Sequence, residues 1–272
     1  MRVGFVGTGE MGIEIVKQLG SAGFAPFVVD RRGRFASELN DAGIRSSNSA
    51  IEVSRESDVV YICVLTDEQV REVALGEAGV IAEMPAGGVI IVHTTCDPLT
   101  LESIAREAAV KGIRVVDAAI SGGPRDIATG RLTLFIGAAD EDFEVVRPLL
   151  ESYAEVIVPA GPVGYGQRVK LINNALFTAH IGLAAEALRL GHAIGVSEQV
   201  LLAALPHASG NSRAVQMIAA SGSLEQSAAA AGRFVAKDVR VVVEVAGRLG
   251  ADLGVLGQVI DSLFIQEVIM KR

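Results

Sequence analysis

From the amino terminus to about residue 160, short runs rich in valine and isoleucine alternate with longer amphipathic segments. The runs RVGFV, PFVVD, DVVYICVL, GVIIVHTT and IRVVD read as buried strands, and Met11 to Ala22, Arg34 to Ala42, Asp67 to Leu75 and Pro98 to Lys111 read as helices between them. Strand followed by helix, repeated, predicts a parallel sheet covered on both faces. The helix starts carry matching signals: Asp97 caps a helix that opens on Pro98, and Ser47 or Asn48 caps one from Ala50 to Glu56. Two further runs, LTLFIGA and EVIVPA, flank a helix from about Glu141 to Tyr153 and extend the sheet.

Beyond Ala160-Gly161-Pro162-Val163-Gly164-Tyr165-Gly166 the period changes. Ala-, Leu- and Val-rich segments with helical spacing follow, among them Gln167 to Ile194, Glu198 to Ala204, Lys237 to Leu249 and Gly254 to Met270. The Gly/Pro stretch is the natural linker, so the expected organisation is an α/β domain over 1–162 and an all-helical domain over 163–272. The patch Ser227-Ala228-Ala229-Ala230-Ala231 reads as helix or as loop filler.

The first strand empties into Gly7-Thr8-Gly9-Glu10-Met11-Gly12, a glycine-spaced turn where strand hands over to helix. Gly7 allows the tight turn, Gly9 removes a Cβ so that backbone can approach phosphate oxygens, and Gly12 lets the helix pack close to the strand, leaving N–H groups at the helix start to face an anion. The second strand ends on Asp30, near the offset at which an acid reaches a ribose hydroxyl. A Rossmann-type, doubly wound sheet that binds a dinucleotide is the reading; a glycine turn without ligand is the alternative.

Composition narrows the partners. A formal charge of −8, with no basic run longer than Arg31-Arg32, argues against a nucleic-acid surface. Cys63 and Cys96 make no disulfide framework, which fits a reducing cytoplasm, and the start of the chain lacks a signal-peptide pattern. The most apolar stretch, Leu171 to Val196, contains Asn173, Asn174, His180, Glu186, Arg189 and His192 and reads as a helix buried by protein rather than by lipid. The histidines, His93, His180, His192 and His207, lack metal-ligand spacing, so no metal is assigned.

Several residues could carry chemistry. Lys170, Asn173 and Asn174, three and four apart, share one face of the first helix past the linker. Either that face meets water, or it lines a wet cleft between the domains where the lysine shuttles a proton, its pKa lowered from the free value of about 10.4, while asparagine orients the substrate. Ser121-Gly122-Gly123-Pro124, after the strand IRVV, is either an ordinary turn or a cradle for a carboxylate. Leu65-Thr66 and Thr94-Thr95 stand on the rims of other strands and read as cofactor-side loops, and Lys237, after Phe234 and before Asp238, is either a solvated charge or one supplied to the cleft.

Together these segments resemble the β-hydroxyacid dehydrogenase family over nearly the whole chain. GFVGTGEMG resembles its opening cofactor signature, HTTCDP its Ser/Thr-Thr-x-x-Pro loop, DAAISGGP its substrate-binding segment, GYGQRVKLINN its catalytic helix and FVAKD its late Lys-Asp. The resemblance implies that Lys170 is the acid/base, that Asn174 and Asn173 hold substrate, that Ser121, Gly122 and Gly123 bind its carboxylate, and that Lys237 with Phe234 closes over the nicotinamide end. Ala119-Ile120 replaces the family's Pro-Val before Ser121, and the chain ends at Arg272 where most relatives continue with a further helix; both bear on the substrate pocket.

Asp30 favours NAD by binding the ribose 2′-hydroxyl and repelling a phosphate, while Arg31, Arg32 and Arg34 are placed to attract one; NAD is expected, with NADP as the alternative. The expected activity is hydride transfer between NAD(P) and the carbinol carbon of a small, carboxylate-bearing 3-hydroxy acid of the 3-hydroxyisobutyrate type. Reduction of a small aldehyde acid such as glyoxylate, succinic semialdehyde or tartronate semialdehyde is the nearest alternative; Lys170 argues against an imine. A non-catalytic dinucleotide sensor or scaffold is the alternative of another class. The Ala-rich helical half with few charges predicts a homo-oligomer, dimer or tetramer.

Overall fold

The computed structural model describes residues 1–31, 33–262 and 265, with backbone alone for residues 231 and 233. The chain packs as two compact units, Met1–Lys170 and Leu171–Arg272.

In the first unit the elements run β1 (Val3–Val6), α1 (Glu10–Ser21), β2 (Pro26–Val29), α2 (Ala36–Asp41), β3 (Ser46–Ser47), α3 (Ala50–Arg55), β4 (Val59–Ile62), α4 (Asp67–Leu75), α5 (Val80–Glu83) and β5 (Val89–Val92). They continue through α6 (Pro98–Val110), β6 (Arg114–Ser121), α7 (Pro124–Ala128), β7 (Leu132–Gly137), α8 (Asp140–Leu150) and β8 (Ala154–Gly161). One sheet holds all eight strands in the order β3-β2-β1-β4-β5-β6-β7-β8. Every position of β1, β4 and β5 is buried, because helices cover both faces. Alternate side chains feed two cores: Phe5, Tyr61, Ile91 and Val116 pack with α1 and α8, while Val6, Ile62, Ile90 and Val115 pack with α4 and α6. Each such aliphatic or aromatic side chain contributes about 1.5–3 kcal/mol by leaving water.

The expected α/β architecture is present, with two local corrections. The strand IRVVD does not stop at Asp117. Its ladder with β5 ends at Val92↔Asp117, but an antiparallel partner, β7, carries the pairing on from Asp117↔Gly137 to Ser121↔Thr133, so Ala118, Ala119 and Ile120 are buried strand. The cap ahead of Ala50 is Ser49, whose side chain accepts from Glu52 N, rather than Ser47 or Asn48. At the other expected cap, Asp97 accepts from Leu99 N at 2.9 Å.

A single helix, α9 (Tyr165–Ala193), runs across the division between the units. The second unit continues with α10 (Glu198–Ala204), a 3₁₀ turn at Leu205–His207, α11 (Arg213–Ser221), α12 (Leu224–Arg248) and α13 (Gly254–Ile260). Leu171, Ala175 and Ile181 of α9 share one core with Val235, Val239, Val242 and Val245 of α12, the stripe expected of facing helices. The Ala-rich patch is helix: Ser223 accepts from Gln226 N and starts α12 ahead of it. Of the helix expected over Gly254 to Met270, residues 263–264 and 266–270 lie outside the described residues. Among the described residues no helix is long and apolar enough to cross a membrane, and no three His, Cys, Asp or Glu side chains gather as a metal site.

Candidate active site

The order of the strands reverses between β1 and β4, and ligands of open α/β sheets bind outside the carboxyl ends of strands at such a reversal. The β1–α1 turn sits there. Gly7 has φ +111°, and a Cβ on it would run into the carbonyl of Cys63 at the end of β4; a Cβ on Gly12 would run into the carbonyl of Gly7 and stand 3.0 Å from Cε1 of Phe5. Gly9, the residue before α1, differs: a Cβ there would meet nothing within 4 Å, and no side chain caps the helix. Two glycines are thus demanded by the protein's own backbone and the third opens outward, the arrangement that lets phosphate approach a helix start. Glu10 is exposed in the first turn, Met11 packs against the sheet core, and Thr8 Oγ1 lies 3.4 Å from the carbonyl of Val29.

Asp30, at the end of β2, is 8% exposed, and its carboxylate accepts from Arg34 N at 3.3 Å and Phe35 N at 3.2 Å. It therefore organises the loop that a ribose would border as well as offering an acceptor. Arg31 is exposed; Arg32 lies outside the described residues. Along the rim, Thr66 caps α4, and the Gln69 side chain accepts from Leu65 N at 2.9 Å and Thr66 N at 3.3 Å, while Leu65 keeps its side chain exposed. Thr94 bridges to this loop, accepting from Val64 N and donating to Val64 O, and Thr95 next to it is half-buried.

At the far end of β6, Ser121 is the last strand residue and Gly122 has φ +130°, a conformation that favours glycine. Gly123 N donates to Asp126 Oδ2 at 2.8 Å, which fixes the turn. Four residues back on the strand, Asp117 is fully buried and reaches the start of α9. It accepts from Gln167 N at 2.9 Å, from Gln167 Nε2 at 3.0 Å, and from the N–H groups of Gly164 and Gly166. Burial pushes its pKa up to about 7, against these donors, which pull it down. A Cβ on Gly166 would collide with the carbonyl of Phe135 and lie 2.8 Å from Asp117 Oδ2, so the second glycine of GYG exists to admit this carboxylate. Neither Asp117 nor Gln167 stands out in the sequence as a site residue; an acid inside a valine-rich strand was the available signal.

Lys170 is half-buried, one turn beyond Gln167. Asn173 and Asn174 follow on the same helix, with Asn173 Nδ2 donating to Asn174 Oδ1 at 3.3 Å. Asn174 is 5% exposed, and its Nδ2 is buried with no hydrogen-bond partner among the described residues. Such an orphan donor costs about 1–3 kcal/mol. Phe234 and Lys237 lie on α12 of the second unit; Phe234 is exposed, and Lys237 pairs with Asp238 at 3.3 Å, both side chains part-buried rather than fully solvated.

Residues 2–161 match the NAD binding domain of 6-phosphogluconate dehydrogenase, and residues 164–267 match the NAD-binding domain of NADP-dependent 3-hydroxyisobutyrate dehydrogenase. The chain belongs to the β-hydroxyacid dehydrogenase family, whose members are NAD(P)-dependent oxidoreductases. It is 32% identical to L-threonate dehydrogenase of Cupriavidus necator over 211 residues, 77% of this chain and 71% of that one. It is 30% identical to NAD-dependent L-serine dehydrogenase of Pseudomonas aeruginosa over 253 residues, 90% of this chain and 85% of that one. Among solved structures, 3-hydroxyisobutyrate dehydrogenase of Mycobacterium tuberculosis, determined with L-serine, superposes with a TM-score of 0.85 at 26% identity, covering 99% of this chain and 96% of that one.

Proposed function

We propose that the chain catalyses reversible hydride transfer between NAD(P) and the carbinol carbon of a small 3-hydroxy acid of the 3-hydroxyisobutyrate type, with Lys170 as general acid/base. The observation that carries this reading is the buried amide of Asn174 one helical turn past Lys170, whose Nδ2 has no partner among the described residues and so is left to donate to a bound molecule. Gly7, Thr8, Gly9, Glu10, Met11 and Gly12 would hold the pyrophosphate, Asp30 and Arg31 the adenosine ribose, and Leu65, Thr66 and Thr95 the rim. Phe234 and Lys237 would close over the nicotinamide end. When bound, the nicotinamide supplies the acceptor for the carbinol hydride.

The chain's own residues do the rest. Ser121 and Gly122, with Gly123 locking their turn through Asp126, receive the substrate carboxylate. Asn174, steadied by Asn173, donates to the hydroxyl oxygen and fixes the carbinol. Lys170 Nζ takes the hydroxyl proton as the alcohol becomes a carbonyl compound, and returns it in the reverse direction. NAD is the preferred cofactor because the buried Asp30 carboxylate disfavours a 2′-phosphate.

We further propose that the protein is a homo-oligomer of the cytoplasm. Ile172, Leu176, Leu183 and Leu190 stand exposed along α9 and continue to Ile194, an apolar stripe suited to a second copy of the chain.

The test is to follow reduced nicotinamide absorbance with NAD and NADP against 3-hydroxyisobutyrate, L-threonate, L-serine, glyoxylate, succinic semialdehyde and tartronate semialdehyde. Turnover of a 3-hydroxy acid is expected; silence with every compound, despite measurable NADH binding, contradicts the proposal.

A further inference from the structure

We infer that Asp117 and Gln167 are positioning residues that set Lys170 against the substrate turn and the β5 rim. This rests on the reading of Lys170 given above. Gln167, on α9, engages two other segments: its N–H and Nε2 donate to Asp117 of β6, while in the loop after β5 its Nε2 also donates to Thr94 O at 3.0 Å and its Oε1 accepts from Cys96 N at 3.1 Å. Asp117 is on the strand that ends in Ser121, and Thr94 and Cys96 flank Thr95. One buried amide and one buried carboxylate therefore brace the three segments assigned to substrate carboxylate, cofactor rim and proton transfer. Both side chains are fully buried, at 0% exposure.

The geometry makes this bracing specific to the lysine. Asp117 accepts from the N–H groups of Gly166 and Gln167 in the first turn of α9, so the carboxylate lies on the positive end of a 29-residue helix and fixes its start in both depth and rotation. Lys170 follows Gln167 by three residues, hence on the neighbouring face one turn along. The other tie of this turn, Arg168 to Glu102 at 2.9 Å, has both side chains partly in solvent and holds weakly. A buried network with every member satisfied fixes one arrangement of its parts, and a displacement of about 1 Å at a reacting group costs about a hundredfold in rate.

The test compares Gln167→Met, which keeps length and charge but removes the side-chain polar contacts, Asp117→Asn, and the exchanged pair Asp117→Asn with Gln167→Glu, in which a protonated carboxyl at 167 donates to Thr94 O while accepting from the amide at 117. Two readouts are taken on each full-length variant: kcat and KM on the best substrate of the panel above, and the acylation rate of the Lys170 amine without cofactor, followed by mass spectrometry with Lys111 as internal control. We expect each single variant to lose about a hundredfold in kcat and to change the Lys170 acylation rate about threefold or more, with the exchanged pair recovering most of both losses. Wild-type kcat and Lys170 acylation in Gln167→Met and Asp117→Asn would overturn the positioning role. Should Asp117→Asn not fold, Gln167→Met and the exchanged pair decide by the same readouts. Failure of the Lys170 reading itself is separate: Lys170→Ala would then retain turnover.

Discussion

His93 Nε2 lies 2.9 Å from the Tyr153 hydroxyl, with both side chains buried in the core of the sheet unit. On the other side of the ring, Nδ1 is 2.6 Å from Ala118 O, which can only accept, so Nδ1 carries the proton and the tyrosine hydroxyl donates to Nε2. Tyr61 stacks on Phe5 with ring centroids 5.3 Å apart and adjoins the imidazole at 5.4 Å, completing a buried aromatic cluster.

Burial lowers the His93 pKa to about 4 and raises that of Asp117 to about 7, and the two have opposite consequences for stability. Below the unfolded histidine value of about 6.5 the unfolded chain takes a proton that folded His93 refuses, so stability falls as pH drops towards 4. Folded Asp117 keeps a proton that the unfolded chain has released, so its contribution falls as pH rises from about 4 to 7. Between about 4 and 6.5 the slopes oppose each other in the wild type. Asp117→Asn removes one, and its stability in urea should fall by up to about 1.4 kcal/mol per pH unit more steeply on acidification than that of the wild type. Parallel stability–pH curves would contradict the assignment.

The glycine turn separates a structural from a ligand role. Gly9→Ala adds a methyl into open space, so Tm should stay within about 1 °C of wild type while NADH affinity drops about tenfold or more. Gly12→Ala drives a methyl into the carbonyl of Gly7, and should cost about 1–3 kcal/mol in stability as well as affinity. Thermal melts and fluorescence titration with NADH read both; equal Tm loss in the two variants would show Gly9 to be a packing glycine.

Asp30 bears on cofactor choice. Its carboxylate accepts from Arg34 N and Phe35 N, so Asp30→Asn retains one acceptor for the loop while removing the charge that opposes a 2′-phosphate. The ratio of kcat/KM for NADP to that for NAD should rise about tenfold or more, the equivalent of about 1.4 kcal/mol. An unchanged ratio would detach Asp30 from cofactor selection.

The stripe on α9 predicts assembly. Light scattering at micromolar concentration should give a multiple of the chain mass, and Leu183→Glu with Leu190→Glu should reduce it to one chain by burying charge at the contact. A monomeric wild type would contradict the homo-oligomer.

Much of the sheet unit was legible because its strands are buried on both faces and so read as unbroken apolar runs, as VIIV at 89–92 and VVYI at 59–62 do. The continuation of β6 past Asp117 was not legible, because an acid inside a strand looks like its end unless its partners are known; here they come from Gln167 and two glycines 47 to 50 positions later. The same long separation hid Gln167, an unremarkable polar residue in sequence that proves to be wholly buried. Helix caps one or two residues apart, such as Ser49 against Asn48 or Ser47, differ only in backbone conformation and are indistinguishable by residue type. The spacing of the glycine turn assigns Gly7 to the tight turn, Gly9 to close approach and Gly12 to packing, and the backbone adds that Gly9 faces open space whereas Gly7 and Gly12 cannot bear a side chain.

The most direct measurement is turnover by Lys170→Ala on the best hydroxy acid of the panel, alongside fluorescence titration with NADH. The account predicts a loss of kcat of about a hundredfold to ten-thousandfold with NADH affinity nearly intact. Undiminished kcat in a variant that still binds NADH would contradict it.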